Sequence, residues 1–221
     1  MSPALAFKPA TRPGDVTLAG RYGSTVKLDP LLHATSLWNA TKDHPDTWTY
    51  MSYGPFESAS IFNQWLVAHA TLNDPYVYAI LDPDGHALGL AALMNIHPEM
   101  GVIEIGHIVY SPALQRTRLG TEAQYLLASY AFDTLGYRRY EWKCNALNAA
   151  SRSAAQRYGF SFEGIFRQHM VVKGRNRDTA WYSIIDREWP ARKVAFEQWL
   201  APENFDKQGR QKARLPDLIA R

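Results

Sequence analysis

The chain of 221 residues has one cysteine, Cys144. That excludes an internal disulfide framework and any cysteine-rich zinc site, and no metal is expected. No apolar run approaches the roughly 20 residues that span a bilayer. The first residues, Met-Ser-Pro-Ala-Leu-Ala-Phe-Lys-Pro, lack the basic n-region and long h-region of a secretory signal. A cytoplasmic protein with no membrane partner is therefore expected. Internal repeats are absent too, and charge of one sign is scarce: 24 Lys+Arg stand against 21 Asp+Glu, a formal net of +3. What is present is a globular composition, 46% hydrophobic and 13% aromatic, which excludes a disordered chain.

The small net charge hides a polar distribution. Residues 1–114 hold 5 basic and 10 acidic side chains, whereas residues 115–177 hold 11 basic and 4 acidic. The last 17 residues, 205–221, hold 5 basic and 2 acidic. A basic middle is either an ordinary solvated face or a site for a ligand carrying several phosphates. Charge alone does not choose between them.

Hydrophobic period supplies the architecture. Residues 1–15, rich in Pro, Ala and Gly, read as a flexible arm, followed by a short strand pair between Val16 and Leu28. Residues 30–75 read as mostly helical, broken at His44-Pro45 and Gly54-Pro55, with Ser58 or Ser60 as N-cap before an apolar helical face. Tyr76–Leu81 and His86–Ile96 flank Asp82-Pro-Asp-Gly85, which spells a hairpin turn. Val102–Tyr110 is a third strand, and Gly106 inside it marks a bulge or a close approach. An amphipathic helix from Leu119 to Leu135 stops at Gly136, and Tyr137–Cys144 is the next strand. A short helix over 148–158, a hairpin of Phe160–Val172 with Thr179–Ile185, and a helix over Trp189–Leu200 complete the domain. The tail beyond Pro202 reads as polar and mobile. This order describes one α+β domain with a mostly antiparallel sheet and a single central β-helix-β crossover. The expected boundaries are arm 1–15, domain 16–187, and a C-terminal helix with basic tail over 188–221.

Two segments carry chemistry. At Val109–Thr121 a strand ends in a basic, glycine-bearing loop that opens a helix, a geometry whose free amides and dipole favour a phosphate. Downstream, Asn148 and Ser151 open a helix that ends in Gly159-Phe160. Read alone, that second segment is capping chemistry.

Together the two segments resemble the cofactor motifs of the GCN5-related N-acetyltransferases (GNAT). Gln115-Arg-Thr-Arg-Leu-Gly120-Thr121 is similar to the family's pyrophosphate loop, and Asn148-x-x-Ser151 with Gly159-Phe160 to its second motif. Leu28-Asp-Pro-Leu31, Trp48-Thr-Tyr50, Glu104-Ile-Gly-His107 and the closing hairpin resemble the ribosomal-protein (RimJ/RimL-like) branch. One departure is Arg118, which stands where the family has its first loop glycine and is expected to add a cationic phosphate contact. The resemblance implies a seven-stranded mixed sheet, flanked by helices and splayed between the two parallel central strands. It implies acetyl-CoA as acyl donor and an amine as acceptor. The donor's pantetheine arm would meet the backbone near Ile108, Val109 and Tyr110, and its pyrophosphate would lie on Gln115, Arg116, Thr117, Arg118, Leu119, Gly120 and Thr121. Asn148 and Ser151 would also touch it, and Trp48, Tyr50 and Tyr53 would frame the acceptor.

Direct acyl transfer to an amine needs a base, a donor to the thioester carbonyl, and an acid for the thiolate. Glu104, a carboxylate in an apolar strand, is the candidate base, because desolvation raises a carboxyl pKa. Its alternative is a structural pair with an arginine. His107 competes, although strand alternation puts it on the opposite face unless the bulge reverses the register. The family's usual acid, a tyrosine four residues before Gly-Phe, is Ala155 here, and Tyr158 is expected to point elsewhere. The resemblance to the RimL-like branch makes Ser151 the candidate for hydrogen-bonding the thiolate. Cys144 reads as a small core residue. Two other readings compete: a non-catalytic acyl-CoA sensor, and a nucleic-acid-binding module that would need aromatics interleaved with arginine on an exposed sheet. The last hairpin and terminal helix carry apolar residues that suit either a homodimer or the chain's own sheet.

Overall fold

Local signals place most elements. The structure, a computed structural model, describes residues 6–220. Strands β1 (Thr17–Ala19) and β2 (Ser24–Lys27) form the first hairpin. Helix α1 (Pro30–Thr41) starts where Asp29 Oδ1 accepts from the Leu31 amide, with Pro30 at the first helical position. Helix α2 (Ala59–Ala70) is capped by Ser58, whose hydroxyl accepts from the Ile61 amide. Strands β3 (Tyr76–Leu81) and β4 (Ala87–His97) are joined by the Asp82–Gly85 turn, with Gly85 at φ 85°. Then follow β5 (Val102–Tyr110), α3 (Arg118–Ser129), β6 (Arg139–Asn145), α4 (Ala149–Arg157), β7 (Ser161–Val172), β8 (Arg175–Ile185), α5 (Trp189–Leu200) and α6 (Leu215–Ile219).

All eight strands form one sheet in the order β1-β2-β3-β4-β5-β6-β8-β7, so the seven strands implied by resemblance become eight. The strand pair expected between Val16 and Leu28 is present as β1 and β2, with β1 at the sheet's edge. Among the described strands only β5 and β6 run parallel, joined by the α3 crossover. The last hairpin turns earlier than its composition predicts. Lys173 and Gly174 both take positive φ, 49° and 71°, as a two-residue turn matched to strand twist requires. β8 therefore begins at Arg175 rather than Thr179.

The sheet separates two apolar layers. One, under α3 and α5, gathers Ile103, Ile105, Leu127, Tyr140, Phe196 and Trp199. The other, under α1 and α2, gathers Leu37, Trp48, Phe62, Leu66, Val77 and Val109. A buried carboxylate ties α3 to the first hairpin: Glu122 accepts from the amides of Arg21 and Tyr22 at 2.7 and 2.8 Å. A Cβ on neighbouring Gly20 would collide with that carboxylate.

Both ends of the chain depart from expectation. Of the expected flexible arm, residues 1–5 lie outside the described residues. The rest is bonded to the domain, with Ala10 N donating to Pro98 O, Thr11 N to Leu135 O, and Tyr76 hydroxyl to Asp15. The tail expected to be mobile folds back instead. Asn204 Nδ2 donates to the carbonyls of Trp199 and Ala213, Leu215 is fully buried, and α6 packs on α4 and α5. Aromatic and aliphatic residues spaced among the tail's charges anchor it. The terminal helix α5 packs inward through Trp189, Phe196, Trp199 and Leu200, whereas β7 leaves Phe162, Ile165, Phe166, Met170 and Val171 exposed.

Candidate active site

The parallel pair opens part-way along. β5 and β6 are in register from Val102↔Arg139 to Ile105↔Trp142 and no further. Beyond that point β5 stays with β4 (Ala92↔Gly106, Leu90↔Val109), while β6 stays with β8 (Lys143↔Trp181, Asn145↔Thr179). The gap widens into a cleft of about 1660 Å³ that reaches from Tyr50 and Glu104 to Arg116 and Arg118.

Between Gly106 and Val109, β5 has two residues, His107 and Ile108, opposite the single Ala91. That is a β-bulge, and His107 takes φ 48°. It reverses the alternation, so His107 joins the α2 side of the sheet rather than the opposite face. Its ring stacks on Tyr53 at 5.4 Å, with Nδ1 at 2.9 Å from the Tyr53 hydroxyl and His69 at 6.1 Å. Burial, with the His69 charge adding to it, pushes the His107 pKa down to about 4.

Glu104 is 4% exposed. Its partner is Lys143 rather than an arginine, with Nζ 2.8 Å from Glu104 Oε2 and 2.8 Å from Glu141 Oε2. Asn95 Nδ2 also donates to Glu104 Oε2, at 2.6 Å. The parallel register sets Glu104 beside Glu141, and the alternate position Lys143 reaches both. Burial raises the Glu104 pKa above the usual carboxylate range, against the opposing pull of Lys143. The other oxygen, Oε1, lies 3.5 Å from where a Cβ on Gly106 would sit, and that Cβ would also collide with the Met94 sulfur. Gly106 thus leaves room for the Met94 side chain beside the carboxylate.

The α3 loop is built as an anion-favouring corner. Thr117 caps the helix, its Oγ1 accepting from the Gly120 amide at 3.0 Å. The amides of Arg118 and Leu119 precede the first intrahelical bonds, as in any helix. Gly120 lets the loop close, since a Cβ there would stand 2.7 Å from Leu114 O. Gln115 Nε2 donates to Tyr110 O, Arg116 takes φ 60°, and both line the cleft. The Arg118 guanidinium, expected to be free for phosphate, lies over the Phe205 ring at 3.9 Å and still lines the cleft. Val109, Leu119 and Thr121, expected to meet the donor, are buried and do not line the cleft, and the Thr121 amide donates to Thr117 O.

Across the gap, Asn148 caps α4 by accepting from the Ser151 amide. Ser151 Oγ accepts from Trp142 Nε1 at 3.0 Å. Tyr158, expected to point away, lines the cleft beside Trp142, because α4 ends with that ring turned back toward the sheet. Cys144 has basic neighbours after all, Arg177 and Arg152, yet burial dominates and pushes its thiol up, away from nucleophilic use.

Of the acceptor-framing aromatics, Tyr50 and Tyr53 line the cleft, and Tyr50 hydroxyl donates to Leu147 O. Trp48 does not. It is 2% exposed and packs against Tyr53, Phe56, Phe62 and Trp65, while its carbonyl accepts from Lys173 Nζ. The basic middle is likewise divided. Arg139 pairs with Glu141 and Glu163, Arg152 bonds Tyr182, and Lys173 holds the 48–54 loop. Arg116, Arg118, Arg157 and Arg177 line the cleft.

A splayed parallel pair, a bulged strand at the opening and a basic helix-opening loop now stand together. The profile of the acetyltransferase (GNAT) domain matches residues 27–161, well over half of the chain. The chain belongs to the GNAT acetyltransferases. A crystal structure of a GCN5-related N-acetyltransferase from Brucella melitensis superposes with a TM-score of 0.95 at 46% identity, covering 98% of this chain and 99% of that one. A "probable acetyltransferase (GNAT family)" from Chromobacterium violaceum gives 0.82 at 42% identity, covering 86% and 97%. A Bacillus subtilis (strain 168) protein named "Putative ribosomal N-acetyltransferase YdaF" is 29% identical over 150 residues, 66% of this chain and 80% of its own. The GNAT membership makes this chain an N-acetyltransferase.

Proposed function

We propose that this GNAT enzyme moves acetyl from acetyl-CoA to a primary amine, a protein N-terminus or a small-molecule amine, by direct attack on the thioester. The observation that carries the reading is the gap past Ile105 and Trp142, with a buried carboxylate at its root and a cationic helix-opening loop at its far end. The residues fit the donor. The β5 edge at Ile108–Tyr110 is left unpaired toward β6, as an extended amide-bearing arm requires, and Arg116, Arg118 and the first amides of α3 suit its phosphates.

Glu104 takes the proton of the attacking amine through Oε1, the oxygen not held by Lys143 and Asn95. The amine nitrogen bonds to the acyl carbon, and the C–S bond breaks to release the thiolate. Ser151 orients its hydroxyl by accepting from Trp142, which leaves its proton to hydrogen-bond that thiolate. Tyr50 and Tyr53 frame the acceptor from the other side. The acidic excess of residues 1–114, with Asp46, Glu104 and Glu141 in the cleft, suits a cationic amine. The Bacillus relative's name, a putative ribosomal N-acetyltransferase, favours a ribosomal acceptor. The exposed apolar residues of β7 suit pairing with a second copy, which light scattering reads directly.

The test is transfer of acetyl from acetyl-CoA to a panel of peptides with free N-termini, polyamines and aminoglycosides. Turnover on one or more of these is expected. Turnover confined to neutral or acidic amines contradicts the acceptor reading.

A further inference from the structure

The C-terminal segment lies outside residues 27–161, the part matched to the GNAT domain, yet it forms a wall of the cleft. Its residues Phe205, Gly209 and Gln211 line the cleft together with Trp199, Arg118 and Arg157. The contacts there are specific. The Arg118 guanidinium is held between the rings of Phe205 at 3.9 Å and Tyr22 at 5.5 Å. The Arg157 guanidinium lies over Trp199 at 4.9 Å, and its Nη1 donates to Thr121 Oγ1. Trp199 meets Phe205 edge-on at 5.2 Å and donates from Nε1 to Gln211 Oε1 at 2.8 Å. A Cβ at Gly209 would stand 3.4 Å from Arg118 Nη2.

These clamps do to two arginines what a bound anion needs done beforehand. A free guanidinium loses rotamer freedom when it engages a phosphate, and stacking on an aromatic face removes that cost in advance. A second observation marks the same cleft as built for a ligand. Gln124 is 3% exposed and lines it; Nε2 donates to the Tyr110 hydroxyl, while the buried Oε1 has no partner. That acceptor is buried in the cleft wall and unpaired.

We propose that residues 201–220 are part of the donor site: Phe205 and Gln211 act as positioning residues that hold Arg118 and Arg157 toward the donor's phosphates, so that the enzyme prefers a nucleotide-bearing acyl thioester to a bare pantetheine thioester. This rests on the reading of the cleft as the acyl-CoA site. It also explains why arginine is tolerated where the family has a loop glycine, because the tail holds the Arg118 side chain in place.

The experiment compares acetyl-CoA with S-acetylpantetheine as donors for the wild type, Phe205→Ala, Phe205→Tyr and Gln211→Glu. Gln211→Glu keeps an acceptor for Trp199 and adds a negative charge beside the phosphate end. Phe205→Ala is expected to raise KM for acetyl-CoA roughly ten-fold, the order of one oriented charge contact. Its kcat and its use of S-acetylpantetheine should hold, and Phe205→Tyr should restore the wild-type value. Gln211→Glu is expected to raise the same KM by about three-fold or more at low salt, and less at high salt. An equal rise for both donors in both variants makes the tail a structural brace and overturns the proposal, as does no rise for either. A wild type whose melting temperature does not move with CoA overturns the donor reading and this proposal together. A CoA-dependent shift without the donor split overturns the proposal alone.

Discussion

Replacing Lys143 with methionine removes the cation between two buried carboxylates while keeping most of the side chain's volume. Lys143 Nζ stands 2.8 Å from both Glu104 and Glu141, and the three side chains are 14%, 6% and 9% exposed. Removing one partner of a buried pair costs about 3–5 kcal/mol, because the uncompensated charge remains. At about 2–4 °C per kcal/mol for a chain of this size, the melting temperature is expected to fall by roughly 6–20 °C. The loss should depend on pH. The Glu104 pKa is already raised by burial in the presence of Lys143, and it rises further without it. For a carboxyl raised on folding, the stabilisation is complete below the unfolded value, about 4.3, and is lost as pH rises through the folded value. The deficit of Lys143→Met is therefore largest near pH 8 and shrinks toward pH 5, where the folded state takes up a proton. Lys143 itself is raised, so its contribution in the wild type persists up to about pH 10.4 and is lost above that, through the folded value. Thermal denaturation followed by circular dichroism from pH 5 to pH 8 reads all of this. A loss under about 0.5 kcal/mol, or a deficit equal at both ends of the range, refutes the reasoning.

Further outcomes follow from the same geometry. Glu104→Gln is expected to lower kcat by about a hundred-fold with little change in the KM for acetyl-CoA, and to erase the acid limb of the rate profile, which in the wild type lies above the usual carboxylate range; steady-state kinetics across pH checks it. Ser151→Ala should cost about ten-fold in kcat if its hydroxyl meets the thiolate, and full activity would remove it from the chemistry. Thr117→Ala removes the α3 cap and is expected to cost about 1 kcal/mol, seen in urea denaturation. Trp48→Ala should cost about 3–5 kcal/mol as a core truncation, whereas Tyr50→Phe, at the exposed rim, should leave the urea midpoint in place.

What the sequence made legible is what local chemistry controls. Ser58 and Asn148 announce helix starts, Asp82–Gly85 announces a turn, and the β-branched run of β5 announces a strand. The anion-favouring loop was legible because a strand end, a glycine and a helix start are neighbours in the chain. Distant pairings were less so. Lys143 beside Glu104 depends on a parallel register between strands joined by a whole helix, although the alternation Glu141-x-Lys143 already puts those two on one face. The bulge at His107 turned on where the extra residue falls, and Gly106 pointed one position early. Trp48 was misread because an aromatic in a loop looks available to a substrate until the helices that cover it are placed. The tail was misread because its net charge concealed Phe205 and Leu215, whose partners lie in Arg118 and in the α4–α5 layer.

The central claim is that the opening between β5 and β6 receives the acyl donor along the β5 edge and on the α3 loop. Amide hydrogen exchange with and without saturating CoA tests it residue by residue. Slowed exchange is predicted over 107–110 and 115–121, with the first turn of α4 following. Saturating CoA that leaves those amides unchanged, or protects a different face of the sheet, contradicts the account.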